Sequence, residues 1–175
     1  MRISVAQAVH QLENRGVLRR FRHAQSDKII PYVQSLISRP LPQDLIDFYR
    51  EEIAGVSECD AIAPAWNDYV GWRTQDALVT ELLPVSAIPL FYDGCGNKFA
   101  LDLTPGVERP AIYFFDHEDG FARPRWAAGS SLGAFLLLAA DQDQAFEEKW
   151  PEKWELAIDP DIDRCPRARA IWAAG

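Results

Sequence analysis

In a chain of 175 residues, an apolar fraction of 48% with six tryptophans and nine phenylalanines suffices for one core. A chain of this size buries about 70% of its unfolded surface, while its longest apolar run, Leu132 to Ala140, is too short for the ~20 residues that span a bilayer. Charge is unevenly placed: residues 1–40 carry seven bases against two acids, a net of +5, and the other 135 residues carry 11 bases and 24 acids, a net of −13. Such a body repels phosphate backbones and attracts basic proteins, which argues against nucleic acid as a partner.

Residues 1–40 read as an N-terminal helical extension packed on the same domain as residues 41–175. Ser4 and Gln7 have the capping-box spacing, and Val5, Val9 and Leu12 recur at helical intervals. Gly16 interrupts. Arg15 to Arg22 is expected to be a solvated helix face, and a second short helix is expected across Pro31 to Ile37. Pro42 suits the first turn of a helix over 42–54 with Leu45, Phe48, Tyr49 and Ile53 on one side, and Gly55 is its expected stop.

Val56 to Asp68 reads as an irregular loop, Tyr69 to Thr74 as a short strand, and Gln75 to Leu82 as a helical turn or strand. Pro84 and Pro89 bracket an edge-type strand, since proline donates nothing to a ladder. Asp93 to Asn97 is a tight turn in which Gly94 and Gly96 accept positive φ. From Lys98 onward the chain alternates, placing Phe99, Leu101 and Leu103 inward and Lys98 outward. Thr104 to Pro110 is a loop, and Ala111 to His117 an aromatic strand that completes an antiparallel meander. A helix N-capped by Ser130 or Ser131 covers 131–147. The tail from Glu152 is expected to pack back through Trp154, Leu156, Ile158 and Trp172.

The entry strand at Ile88-Pro89, the Asp93–Asn97 turn, the Phe99–Leu103 strand and the aromatic strand ending in Asp116-His117 resemble the SUKH superfamily, as do the Leu41-Pro42 opening and the 130–140 helix. The resemblance covers about residues 40 to 142; it departs at Glu52–Gly55, where an Asn-Gly pair is usual. It implies an α+β fold, with an antiparallel sheet of four to six strands and helices against one face. In bacterial members it implies immunity proteins that neutralise toxins, and it implies no common enzymatic activity.

Asp159, Asp161 and Asp163 imitate the start of a calcium loop, yet Arg164 and Ala170 stand where the loop needs Gly and Glu. Asp116 to Asp119 reads as a solvated acidic turn, because the other histidines, His10 and His23, are remote. Gly94-Cys95-Gly96 lacks the third glycine and the following helix of a dinucleotide fingerprint. Cys95 with His117 and Asp116 would form a nucleophilic set, but nothing at a hairpin-like turn lowers the thiol pKa.

Neither catalytic residues, nor a metal, nor a cofactor is therefore expected. Cys59, Cys95 and Cys165, odd in number and far apart, suit a reducing compartment. The opening residues also lack the apolar segment of a secretory signal, so the expected location is cytoplasmic. The expected activity is protein binding, with a cognate toxin domain as partner or, alternatively, an endogenous partner in a cell-wall or signalling role. Candidate partner-binding residues are the acidic Asp60, Asp68, Asp93, Glu118 and Asp119 and the aromatic Trp66 and Trp72.

Overall fold

A computed structural model describes residues 2–21, 26–56, 63–64, 81–93 and 95–173. Its helices among these are α1 (Val5–Asn14), α2 (Ser26–Leu36), α3 (Gln43–Arg50) and α4 (Leu132–Glu147). The strands are β1 (Leu18–Arg20), β2 (Ile53–Val56), β3 (Ala63–Pro64), β4 (Ala87–Tyr92), β5 (Lys98–Asp102), β6 (Ile112–Phe115) and β7 (Trp126–Gly129). Strands β3 to β7 form a five-stranded antiparallel sheet in chain order, and β1 pairs with β2 in a separate ribbon. The fold is α+β, as expected.

The meander register holds. Phe99 and Phe114 are cross-strand partners and their rings meet edge to face, with centroids 5.3 Å apart. Phe99, Leu101 and Leu103 are buried, and Phe135 of α4 rests against both Phe91 and Phe99. Phe48 of α3 closes the same layer against Phe91, at 5.6 Å. Each such side chain contributes roughly 1.5–3 kcal/mol through removal from water.

The opposite face corrects the expectation for Lys98, which is buried at 7% exposure. Strand β5 is covered on both sides because the C-terminal tail, folded as short 3-10 turns at Trp154–Ala157, Ile162–Arg164 and Ile171–Ala173, wraps that face. Trp154, Leu156, Ile162 and Trp172 pack there around Ala100, Tyr113, Phe115 and Ala127. Ala127 donates its N–H to the carbonyl of Arg169, at 2.7 Å, and so fastens the tail to β7. Burial lowers the Lys98 pKa, and its ammonium lies 5.3 Å from the centre of the Tyr92 ring.

The helical layer is held by its ends. The capping box forms as the spacing predicts: Gln7 N–H donates to Ser4 Oγ at 3.2 Å, and Ser4 N–H to Gln7 Oε1 at 2.9 Å. Ser131 caps α4 by accepting from Ala134 N–H, and its hydroxyl donates to the Ile3 carbonyl. At Gly133 a Cβ would stand 2.5 Å from the Ile3 and Ser4 carbonyl oxygens, so only glycine lets α1 start this close to α4.

Other boundaries differ from the reading. Leu18–Arg20 is a strand, not a helix face, because Gly16 at φ 70° turns the chain back toward β2. Helix α2 starts at Ser26 and carries Pro31 inside it. Helix α3 ends at Arg50, and Gly55 lies in β2 beneath the Arg19 guanidinium, where a Cβ would approach to 3.0 Å. Pro84 sits in a 3-10 turn, Leu83–Val85, and Pro89 inside β4 next to a register shift that relieves its missing donor. The expected strand at 69–74 and the segment 75–80 lie outside the described residues.

Candidate functional site

Two adjoining turns close one end of the sheet. Antiparallel pairing sets Lys98 opposite Phe115, so the turn before β5 and the turn after β6 emerge side by side. Asp93 organises the first: its carboxylate accepts from Cys95 N–H at 2.9 Å, Asn97 N–H at 3.2 Å and Asn97 Nδ2 at 2.7 Å. Gly96 at φ 102° makes the tight path possible. In the second turn Asp116 is buried, accepts from Glu118 N–H at 2.8 Å and pairs with Arg125. Arg125 Nε also lies 3.5 Å from Asp119.

Of the candidate residues, Asp93, Glu118 and Asp119 are thus brought to the same end of the sheet. Glu118 and Asp119 are exposed there, whereas the Asp93 carboxylate is occupied within its own turn. Asp60, Trp66, Asp68 and Trp72 lie outside the described residues.

A second feature escaped the sequence reading. Between the end of α4, strand β7 and the C-terminal tail lies a groove of about 570 Å³, into which Trp126, Trp150, Trp154 and Trp172 face. Phe114 stacks under Trp126 at 3.9 Å and 8°. Trp150 and Trp154 meet at 84° with centroids 5.3 Å apart, and Trp150 Nε1 donates to Glu148 at 2.9 Å. Ile171, on the rim, is 55% exposed and is the exposed large apolar side chain of the described residues. Glu155 lines the groove, and its Oε2 is sealed from water with no donor, so burial raises its pKa. The available signal was the four-residue spacing of Trp150 and Trp154 across Pro151; it reads equally well as tail packing, which Trp154 also provides.

Cys165, His117 and Asp159 are each set by their neighbours. The Cys165 thiol is pushed up to about 12, first by burial and then by Asp159 and Asp161. His117 Nδ1 sits 2.8 Å from the Asn97 carboxamide oxygen. Asp159 of the calcium-like sequence is buried and accepts the Ser130 N–H at 2.6 Å. Among the described residues no three His, Cys, Asp or Glu side chains converge to hold a metal ion, and no helix is long and apolar enough to cross a membrane.

An antiparallel meander set between a helical layer and a wrapped tail, with an acidic turn cluster at one end and an open aromatic groove, defines an α+β scaffold built to offer surfaces. The chain belongs to the SMI1 / KNR4 family (SUKH-1), whose model matches residues 26–138. The match takes in α2, α3, the five-stranded sheet and the start of α4, and so covers the segments that carried the resemblance up to residue 138. Membership supports an immunity- or regulation-type domain that works through protein interaction. No curated protein and no solved structure matches the chain.

Proposed function

We propose that this chain is a non-enzymatic, cytoplasmic protein-binding domain, a bacterial immunity protein that occludes a cognate toxin. The observation that carries the reading is the tryptophan-lined groove set in a body of net charge −13 over residues 41–175. Half-buried tryptophans beside an open groove are the residue type that anchors interfaces. The surrounding negative charge would steer a basic partner into place. Family membership supports the same reading.

The test is direct. The purified chain is mixed with the product of the neighbouring gene and followed by size-exclusion chromatography and calorimetry. Cells expressing that product are then scored for survival with and without the chain. A complex together with rescue supports immunity. A complex without rescue supports instead a regulatory role with an endogenous partner, and the absence of both complex and rescue defeats the immunity reading.

A further inference from the structure

We propose that the corner formed by Trp150 and Trp154, backed by Glu155, receives a basic side chain of the protein partner. The inference rests on the protein-binding reading and supplies the chemistry of what is bound. Two indole faces at 84° give a cation two π surfaces at once, and the hydrogen bond from Trp150 Nε1 to Glu148 restrains one of them. Glu155 lies on the same lining, and its carboxylate places negative charge behind the corner. An incoming ammonium or guanidinium group is drawn by that charge as well as by the indole faces.

The rest of the groove suits what carries the cation. Lysine and arginine bring apolar stems of three or four carbons, and Trp126, Leu138 and Ile171 line the approach. Among the described residues Lys153 is the one base on the lining; Glu152 and Glu155 on the lining and Glu148 beside Trp150 outnumber it. A free acidic ligand would be repelled by these carboxylates, and a purely aliphatic one would gain nothing from them.

The experiment titrates the full chain with three heptapeptides, acetyl-Gly-Ser-Leu-X-Leu-Ser-Gly-amide, where X is lysine, arginine or the uncharged norleucine. Binding is read from tryptophan fluorescence. The lysine or arginine peptide is expected to bind roughly 3- to 30-fold more tightly than the norleucine peptide. E155Q and W150A should each reduce that preference, with folding checked by circular dichroism. E155Q keeps the shape of the side chain and so serves if W150A unfolds.

Equal binding of all three peptides, or no saturable binding of any, overturns the proposal. So does choline competing at lower concentration than the basic peptides, which would make the occupant a free ammonium compound. The broader reading is judged separately. If the neighbouring gene product binds wild type and E155Q alike, the partner stands and the cation corner fails. If it binds neither while the peptides discriminate, the partner assignment fails instead.

Discussion

The carboxamide oxygen of Asn97 accepts the backbone N–H of His117 at 3.0 Å and lies 2.8 Å from its Nδ1. Asn97 Nδ2 meanwhile donates to Asp93 at 2.7 Å. One side chain therefore ties the turn before β5 to the turn after β6, and it does so at the end of the sheet where Glu118 and Asp119 project. The acidic turns are positioned by this link as well as by strand pairing.

Asn97→Ala should accordingly lower stability by about 1–3 kcal/mol, the sum of partly solvated hydrogen bonds each worth about 1 kcal/mol. Urea unfolding with matched slopes is the measurement. An unchanged midpoint would mean that the two turns hold their shapes independently.

Gly96→Val should cost on the order of 1–3 kcal/mol through backbone strain at φ 102°, with an added steric term. A Cβ there would come 3.3 Å from His117 Cγ, so the His117 ring must move. Gly106→Val is the comparison, because its φ of 82° imposes strain but nothing lies within 4 Å of the added carbon. Equal losses for the two would remove the contact with His117 from the account.

The meander was legible because Phe99, Leu101 and Leu103 alternate against polar neighbours, and period two survives any covering of the other face. Lys98 shows where that inference stops. Alternation tells which residues share a face but not that a tail more than fifty residues later covers the second one. The β1–β2 ribbon was hidden for a related reason: Leu18–Arg20 is basic and short, and only the Gly16 turn hinted that it leaves the helix. Of the site, the acidic turn could be read locally. The groove could not, since Trp126, Trp150 and Trp172 are far apart in sequence and meet only through the wrapped tail.

Arg167→Ala should be among the most damaging single changes. The Asp102 side chain is fully buried, accepts from Thr104 N–H at 2.9 Å and Thr104 Oγ1 at 2.6 Å, and pairs with Arg167 Nη1 at 3.0 Å. Removing the arginine strands a buried carboxylate, at a cost of about 2–4 kcal/mol given that Arg167 itself is partly exposed. Asp102→Asn should cost less, because the charge that then loses its partner is that of Arg167, which is partly exposed and still donates to the Ser86 carbonyl. Reversal of that order in thermal or denaturant unfolding would show that the ion pair does not hold the tail to the sheet.

Thiol reactivity should separate the two described cysteines. Cys95 is exposed, whereas the Cys165 thiol is held up to about 12 by burial and by the aspartates around it. In a Cys59→Ser background at pH 8, a disulfide reagent should modify Cys95 rapidly and the half-buried Cys165 far more slowly. The raised value also fixes a sign. The unfolded chain ionises near the ordinary 9.0, so this contribution to stability is complete below pH 9 and is lost as pH rises toward 12. Cys165→Ala should flatten that alkaline decline, and rapid labelling of Cys165 in the native protein would contradict its burial.

Neutralising the acidic turn should act on the rate of encounter. Glu118 and Asp119 are exposed at the rim, and Asp119 lies 3.5 Å from Arg125 Nε. Rim charges act mainly through long-range attraction, which salt screens within about 8–10 Å, whereas aromatic anchors act after docking. Glu118→Gln/Asp119→Asn should therefore slow association with the partner at low salt and reduce its salt dependence, leaving dissociation nearly unchanged. Trp150→Ala should do the opposite, accelerating dissociation with little effect on the on-rate. Both are measured by surface kinetics at two ionic strengths. On-rates that stay the same at both salt levels would place the acidic turn outside the interface, and the tryptophan groove would then be left as the docking surface.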